Sequence, residues 1–450
     1  MKSRSVSTST SCRRAEPALL IGILWAALLL LPGPASARIF IDINAPAVQR
    51  LQIAVPAFST RASAAAEPGF GEKLADVVAN DLELSGYFVS IEEEAFLPGA
   101  VEEAARDDIQ FKDWSMIGAE LLLACTYSAI GQNLELEVRL YDVFRARRVY
   151  TKRLLGKRND YRTLIHRLSN EIIYLLTGQK GMFLSRLAYV NRLQGKEEVY
   201  KEIFTCDVDG HNAEQLTYDK SISLLPRWSP DGKKLLYVSY KDGGPMLYLK
   251  ELGTGVDRRI SARKGLNIGA DWAPGGKKVA LTLSHGDNPD IYTIDLQGNI
   301  LDRLTRHWGI DVSPAYSPDG RRMAFVSNRS GSPQIYVRDL ESGEERRLTF
   351  EGKYNTSPSW SSLNRIAFSG MNGGRFDIFT INDDGTGLQN LTRGQGNNED
   401  PCWSPDGRYL AFSSNRAGGY HLYLMTAGGR NQTRITFQKG EQTSPSWSDD

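Results

Sequence analysis

The side chains best suited to catalysis or metal binding are dispersed along this chain. Its five histidines lie in five different predicted elements, without metal-ligand spacing: His166, His211, His285, His307 and His421. The sequence contains no Gly-x-Ser-x-Gly nucleophile elbow and no glycine-rich phosphate loop. We therefore predict no catalytic residue, no cofactor and no metal site, and we expect a protein that is not an enzyme.

A recurring Ser-Pro-Asp-Gly sequence offers a carboxylate that a calcium ion could use as a ligand. The same four residues suit the four positions of a type I turn, with Pro fixing φ at the second and Gly at the last. Because the turn accounts for every residue type, we interpret this repeat as structural.

Three cysteines follow the predicted signal peptide described below: Cys125, Cys206 and Cys402. An oxidising compartment would allow two of them to pair. Their number is odd and each is isolated in a strand-like segment, so we predict buried free thiols.

One short pattern recurs six times at nearly constant spacing. It contains an aromatic residue and reads Trp-Ser-Pro-Asp-Gly in its fullest form. The steps between copies are 44, 44, 44, 43 and 44 residues, and the aromatic residues are Trp228, Trp272, Tyr316, Trp360, Trp403 and Trp447. A period in the forties with four strand-like segments per repeat is typical of a β-propeller.

The two ends of the repeat array complement each other. The first unit, beginning near residue 186, matches the second, third and fourth strands of a repeat but lacks the aromatic first strand. The residues from Pro445 to Ser448 match that missing strand. Since an open ring would leave two unpaired sheet edges, we predict that the C-terminal strand completes the first blade. Residues 181–450 are thus predicted to form a six-bladed all-β propeller.

Residues 38–180 carry no repeat and predict a small α/β domain. Gly86 and Gly178 follow two amphipathic helical segments, and 179–184 is interpreted as a hinge. The predicted helices cover 70–84 and 160–176, and the predicted strands cover 51–56, 121–127, 134–143 and 148–155. The expected fold is multidomain: an N-terminal α/β domain followed by a six-bladed propeller closed by the C-terminal strand.

Residues 1–37 predict a cleaved secretory signal peptide, which implies export from the cytoplasm. Basic residues precede a short apolar stretch from Ala18 to Leu31, and Ala35-Ser36-Ala37 resembles a cleavage site. A retained anchor is the alternative, although the stretch is short for a membrane span. Removing the segment lowers Lys+Arg from 54 to 50 and Asp+Glu from 53 to 52, which leaves a net charge near −2. This balance argues against nucleic-acid binding and an electrostatic membrane anchor.

Polar residues recur at one position of the loops that connect the blades. Six-fold repetition predicts a polar ring at the channel mouth, and capping of strand ends is the alternative interpretation. His307 and Trp308 lie in one of these loops, where an aromatic residue with polar neighbours is a candidate anchor for a protein partner. Phe350 and Phe437 directly follow strand ends and are expected to be packed. The six ring positions are Ser223, Asn267, Asp311, Asn355, Asn398 and Gln442.

The first residues after the predicted cleavage site alternate between apolar and polar types. One interpretation is an ordinary edge strand of the domain. The other is a mobile strand that pairs with the sheet edge of another protein. The candidate partner-binding residues are Arg38, Ile39, Phe40, Ile41 and Asp42.

The organisation of the chain resembles the TolB family, the periplasmic component of the Tol-Pal system of Gram-negative bacteria. Pro358-Ser359-Trp360 and Pro445-Ser446-Trp447 match the repeat motif of that family closely. Secreted peptidases and other propellers share the repeat, whereas the domain order and the truncated final strand are more specific. The resemblance covers essentially the whole chain after the signal peptide.

The resemblance implies a non-enzymatic adaptor. In that family the propeller mouth binds the lipoprotein Pal, the mature N-terminus binds TolA, and the system supports outer-membrane integrity and constriction at cell division. Carried onto this chain, Pal binding falls on the blade-connecting loops and TolA binding on residues 38–46, which include the five candidate residues named above. We expect a monomer outside the complex. Two alternatives remain open: a secreted propeller that binds a saccharide or small ligand, and a propeller module associated with a peptidase.

Overall fold

The structure is a computed structural model that describes residues 41, 50–61, 67–195, 198–284 and 288–449. Within these ranges the chain builds one mixed sheet with helices, followed by six four-stranded sheets. No helix in the described part of the chain combines the length and apolar character needed to span a membrane. The predicted signal peptide, residues 1–37, lies outside the described residues.

The N-terminal domain is a mixed sheet with helices packed against it. Its strands are β1 Leu51–Ala54, β2 Ser59–Thr60, β3 Phe88–Ser90, β4 Leu121–Ile130, β5 Asn133–Asp142 and β6 Arg147–Lys157, and its helices are α1 Phe70–Leu84, α2 Ala100–Ala105, α3 Phe111–Met116 and α4 Tyr161–Thr177. The strand order is β3-β1-β4-β5-β6, and β2 pairs with β4. Two short 3-10 helices cover Glu93–Ala95 and Arg158–Asp160.

The two long helices follow the apolar spacing of their sequences. In α1, Leu74, Val78 and Leu82 lie on one buried face. The helix α4 ends at Gly178, whose φ of 70° is a left-handed conformation that glycine adopts without strain. The predicted helices and the predicted strands 134–143 and 148–155 are confirmed with small changes at their ends, and these two strands pair as β5 and β6. The short elements β2, β3, α2 and α3 had not been predicted.

The propeller consists of six antiparallel sheets, and the first strand of every blade contacts the first strands of its neighbours. The first three blades are β30 Glu441–Trp447, β7 Arg186–Gln194, β8 Val199–Asp207 and β9 Glu214–Gln215; β10 Ser223–Trp228, β11 Lys234–Ser239, β12 Met246–Glu251 and β13 Asp257–Ser261; and β14 Asn267–Trp272, β15 Lys278–Leu283, β16 Asp290–Asp295 and β17 Ile300–Arg303. The last three are β18 Asp311–Tyr316, β19 Arg322–Ser327, β20 Gln334–Asp339 and β21 Glu345–Arg347; β22 Asn355–Trp360, β23 Arg365–Asn372, β24 Arg375–Asn382 and β25 Gln389–Asn390; and β26 Asn398–Trp403, β27 Tyr409–Ala417, β28 Gly419–Thr426 and β29 Thr433–Arg434.

The ring closes as the sequence predicted. Strand β30 pairs antiparallel with β7, and Trp447 lies opposite Leu187. The Ser448 amide donates a 2.9 Å hydrogen bond to the carbonyl of Arg186. The last strand of the chain therefore completes the first blade and removes two open sheet edges.

The repeated aromatic residues and the predicted turns stabilise the blades. Trp228 is buried against apolar residues of the first blade, and Trp272 Nε1 donates to the carbonyl of Arg227 at 3.1 Å. In the turn after Trp228, the amide of Gly232 donates to the carbonyl of Ser229 at 2.9 Å. The turn interpretation of the repeated motif is thus confirmed.

Every first strand contains a β-bulge that had not been predicted. When the ring residue is counted as position 1, position 3 of the first strand has a φ between 51° and 60° in all six blades. Only one of these six residues is glycine. Backbone in this left-handed region costs free energy for other residue types and is held by surrounding contacts. The six bulge residues are Leu225, Gly269, Ser313, Ser357, Asp400 and Ser444.

The three cysteines among the described residues are free thiols, as predicted. Cys125 and Cys206 are buried, and Cys402 is half-buried. Burial raises the pKa of each of the three thiols, so they remain protonated at neutral pH.

Candidate functional site

The N-terminal domain packs against one end of the propeller. Tyr409 Oη donates a 3.0 Å hydrogen bond to the carbonyl of Ser85, and Asn431 Nδ2 donates to that of Glu83 at 2.9 Å. Both propeller residues belong to the end that carries the Ser-Pro-Asp-Gly turns and the third-to-fourth strand turns. In an antiparallel blade the blade-connecting loops lie at the opposite end. The fold thus separates a domain-covered end from an end made of connecting loops.

The segment predicted as a hinge is packed between the two parts. Met182 and Phe183 are buried, and the amide of Phe183 donates to Asn170 Oδ1 at 3.1 Å. Directly after it, Ser185 Oγ accepts a 2.7 Å hydrogen bond from Trp447 Nε1. These contacts fix the connection where the chain enters the first blade. The domain boundary at residue 180 stays a prediction.

The six ring residues are buried, with at most 2% of their surface exposed. They lie at the start of the first strands, where they hold the preceding loops. Asn355 Nδ2 donates to Gln334 Oε1 at 2.9 Å and to the Glu351 carbonyl at 2.8 Å, and Arg329 donates to Asp311 Oδ2 at 2.7 Å. This arrangement fits the capping alternative. A role of these residues in partner binding stays a prediction. In that role they would support the loops that contact the partner, and the six residues are Ser223, Asn267, Asp311, Asn355, Asn398 and Gln442.

Trp308 lies on the surface of the loop between the third and fourth blades, 71% exposed. His307 is half-buried beside it, with the two ring centroids 5.1 Å apart. The amide of Gly309 donates to His307 Nδ1 at 2.9 Å, so the histidine shapes the loop that presents the tryptophan.

Phe350 and Phe437 are 72% and 70% exposed, so the expectation that they pack is wrong. The threonine that precedes each phenylalanine is buried, and Thr349 Oγ1 accepts a 2.9 Å hydrogen bond from a backbone amide of its own blade. Alternation along the chain then directs the next side chain outward. Each ring lies below a guanidinium group, with Arg347 at 4.8 Å and Arg434 at 4.7 Å from the ring centroids.

These side chains form part of a larger exposed set on the blade-connecting loops, which we call the aromatic face. Its members are Tyr218, Trp308, Phe350, Tyr354 and Phe437. A cavity of about 240 Å³ opens beside Phe350 and is lined in part by Glu351 and Met371. Exposed aromatic side chains next to a small cavity are typical of sites that anchor a protein partner. The sequence signal for three of them was their position directly after the buried threonine of a strand end.

A second cavity, of about 580 Å³, lies where the N-terminal domain meets the propeller. Arg50, Arg408 and Arg430 contribute to its lining, together with Tyr87 and Tyr409. Burial raises the pKa of both tyrosines, so each keeps its proton. This cavity has the chemistry to accept a negatively charged group.

Only one of the five candidate residues of the N-terminal segment is described by the structure. Ile41 is buried, and its amide donates a 2.8 Å hydrogen bond to the carbonyl of Leu176 near the end of α4. Arg38, Ile39, Phe40 and Asp42 lie outside the described residues. Their role in partner binding stays a prediction.

Both parts of the chain match family models of known proteins. Residues 39–149 match the family model of the TolB amino-terminal domain, and residues 174–450 match that of the TolB beta propeller domain. A relative from Desulfosudis oleivorans, named Tol-Pal system protein TolB, is 42% identical over 248 residues, which are 55% of this chain and 56% of the relative. A relative of the same name from Syntrophotalea carbinolica is 41% identical over 201 residues, 44% of this chain and 45% of the relative.

The alignments to these relatives therefore span about half of their length. A crystal structure of TolB from Acinetobacter baumannii matches with a TM-score of 0.78 and 29% identity, covering 89% of this chain and 97% of that chain. The propeller family model alone matches more than half of the residues. The chain belongs to the TolB family.

Proposed function

We propose that this protein is a non-enzymatic periplasmic adaptor of the Tol-Pal system, which supports outer-membrane integrity and constriction at cell division. Membership of the TolB family and relatives named as Tol-Pal system proteins support this role. The predicted signal peptide supports export. The observation that carries the proposal is the aromatic face, because it lies at the propeller end opposite the N-terminal domain.

The aromatic face is the proposed binding site for Pal. Trp308 and Phe350 project from loops that hydrogen bonds hold in place, so little conformational entropy is lost when a partner covers them. Large aromatic side chains dominate the binding energy of protein interfaces when they become fully desolvated. The cavity beside Phe350 offers a place for a side chain of the partner.

The N-terminal segment is the proposed binding site for TolA. Ile41 belongs to this segment and is hydrogen-bonded to the end of α4. Helix α4 is part of the N-terminal domain, which packs against the end of the propeller that carries the Ser-Pro-Asp-Gly turns. Two sites on one chain allow coupling, in which Pal binding changes the affinity of the segment for TolA. Equal TolA affinities with and without Pal would remove the coupling hypothesis.

A saccharide-binding propeller is the second candidate function. This function would require that the polar ring at the channel mouth be accessible to a ligand. The ring side chains are instead buried and engaged in hydrogen bonds. A protein partner therefore has more support than a small ligand at this end.

The test is a calorimetric titration of the purified protein with the soluble domain of Pal from the same organism. We expect a Trp308→Ala, Phe350→Ala double variant to bind roughly 30-fold more weakly, since two interface anchors together contribute about 2 kcal/mol or more. Tyr174→Ala, which removes an exposed ring from α4, serves as the matched control and should bind like the parent. Folded parent protein that binds no Pal would contradict the proposal and favour a screen of saccharides.

A further inference from the structure

Each of the six loops that connect neighbouring blades carries an exposed lysine or arginine. These loops run from the end of one fourth strand to the start of the next first strand, at the propeller end opposite the N-terminal domain. The structure describes all six loops, and one cation in each of them has an exposed side chain. We call these six residues the basic crown, and its members are Lys220, Lys264, Arg306, Lys353, Arg393 and Lys439.

The charges of the basic crown are not neutralised within the described part of the chain. There, none of the six side chains takes part in an ion pair or a side-chain hydrogen bond. The connecting loops contain two carboxylates, those of Asp219 and Glu351. Asp219 already pairs with Lys241, whose Nζ lies 3.2 Å from its Oδ2, and only Glu351 is exposed. The crown therefore presents free positive charge to a partner.

The positive charge is concentrated at this end of the propeller. By sequence, the connecting loops contain seven lysines and arginines against two carboxylates, a formal charge of +5 with neutral histidines. The hairpins between second and third strands, at the same end, add three cations and four carboxylates. The turns between first and second strands, at the other end, contain four cations and three aspartates. Since the whole chain carries a formal charge of only +1, the excess is local.

The basic crown and the aromatic face share the same loops. Four of the six connecting loops carry members of both sets; Arg306 lies two residues before Trp308, and Lys439 two residues after Phe437. Protein interfaces combine aromatic anchors with polar, charged surroundings. A single-stranded nucleic acid needs instead a positively charged groove that follows its backbone. Because the crown distributes its charges over six loops around the channel, it fits the surface of a folded protein better than a strand.

We propose that the basic crown recognises an acidic surface on the protein that covers the aromatic face. This inference rests on the proposed function, which assigns that face to Pal, and it adds the chemistry of the contact: carboxylates of Pal surround an apolar centre. Charges at the rim of an interface change the association rate more than the dissociation rate. The crown thus steers the acidic partner toward the propeller, and salt weakens this effect by screening.

The experiment measures the association and dissociation rates of the purified protein with the soluble domain of Pal from the same organism. A triple variant, Lys220→Gln, Lys264→Gln and Lys353→Gln, removes one charge from each of three loops and keeps every aromatic side chain. At about 0.1 M NaCl its association rate should fall about 3- to 10-fold, and its dissociation rate should change less than about twofold. Raising NaCl to about 1 M should slow association of the parent by about tenfold and that of the variant by less.

A second triple variant, Lys233→Gln, Lys277→Gln and Arg321→Gln, is the matched control. It removes the same amount of charge from exposed side chains of the turns between first and second strands, at the other end of the propeller. We expect it to associate with Pal like the parent. All six substituted side chains are exposed, so both variants should keep the melting temperature of the parent.

The outcomes separate this inference from the proposed function. Pal binding whose association rate responds to neither salt nor the crown variant would overturn the inference and leave the adaptor role in place. Equal slowing by the two triple variants would also overturn it, because net charge and not the crown would then act. A parent protein that binds no Pal would overturn both. Tight binding of a single-stranded DNA of about 16 nucleotides, lost in the crown variant, would reassign the crown to nucleic acid and overturn the inference.

Discussion

Asp209 illustrates how single side chains connect the two parts of this molecule. Its carboxylate is fully buried and accepts a hydrogen bond from Arg162 of α4, whose side chain is 13% exposed. Such a pair pays a desolvation cost for both charges, so removal of one partner leaves the other buried without compensation. The contact therefore couples the N-terminal domain to the first blade.

The stabilisation by Asp209 should depend on pH. Its pKa in the folded protein is about 2, against an ordinary value of 3.8. A depressed pKa stabilises the fold above the unfolded value and loses that contribution as the pH falls through the folded value. We expect about 2 kcal/mol at pH 6, with roughly half of it lost by pH 3. Urea unfolding of the parent and of Asp209→Asn measures this. A difference between the two proteins that stays constant from pH 6 to pH 3 would contradict it.

The cysteines should be unreactive in the folded protein. Burial raises the pKa of Cys125, Cys206 and Cys402, and a protonated thiol is a poor nucleophile. For protein without residues 1–37, which contain Cys12, we expect slow modification by a thiol-specific reagent under native conditions and three reactive thiols after denaturation without reductant. Fewer than three would indicate a disulfide, and rapid native labelling would indicate that a thiol is accessible.

Among the elements, two turns between third and fourth strands, in the first and third blades, lie directly against the preceding blade. Gly210 has a φ of 83°, and a Cβ at this position would lie 1.6 Å from the carbonyl oxygen of Ile435. Gly298 has a φ of 91°, and its Cβ would lie 2.2 Å from the carbonyl oxygen of Ile260. Both the backbone conformation and the close approach of the preceding blade require glycine here.

Gly210→Ala should therefore destabilise the propeller strongly. The left-handed conformation costs about 1–2 kcal/mol for a residue with a Cβ, and the clash adds about 1–3 kcal/mol. Gly243→Ala is the matched control, because its φ is 98° but a Cβ would meet nothing within 4 Å. Urea unfolding should show that Gly210→Ala loses more free energy of unfolding than Gly243→Ala. Equal losses would mean that the contact between the blades relaxes without cost.

For the whole molecule, closure of the ring decides stability. Strand β30 pairs with β7, and its Trp447 is buried and bonded to Ser185. Because each first strand contacts its neighbours, the loss of one strand removes contacts on both sides. The propeller should thus respond to damage at the closing strand as one unit.

Deletion of residues 444–450 should lower the melting temperature by roughly 10 °C or more. The deletion removes a buried tryptophan, which alone contributes about 3–5 kcal/mol, and exposes an edge of β7. Differential scanning calorimetry measures the shift, and deletion of residue 450 alone is the control. An unchanged melting temperature would refute the structural importance of the closing strand.

The sequence by itself determined the elements whose signals are local. The spacing of the aromatic residues defined six blades, the truncated last repeat defined the closing strand, and apolar periodicity defined α1 and α4. Turn residues such as Gly232 and Gly178 need a particular backbone conformation, which their neighbours in sequence disclose. These features could be predicted because strand, helix and turn each place residue types at fixed intervals.

Only the tertiary structure decided which side chains are covered. Ring residues such as Asn355 are buried beneath their loops, whereas Phe350 is exposed, although both lie at strand ends. The tertiary structure also placed His166 beside Asp207 and Asp209, which belong to a different domain. Burial and the meeting of charges depend on elements that are distant in sequence, and no local pattern encodes which of them will lie above a given residue.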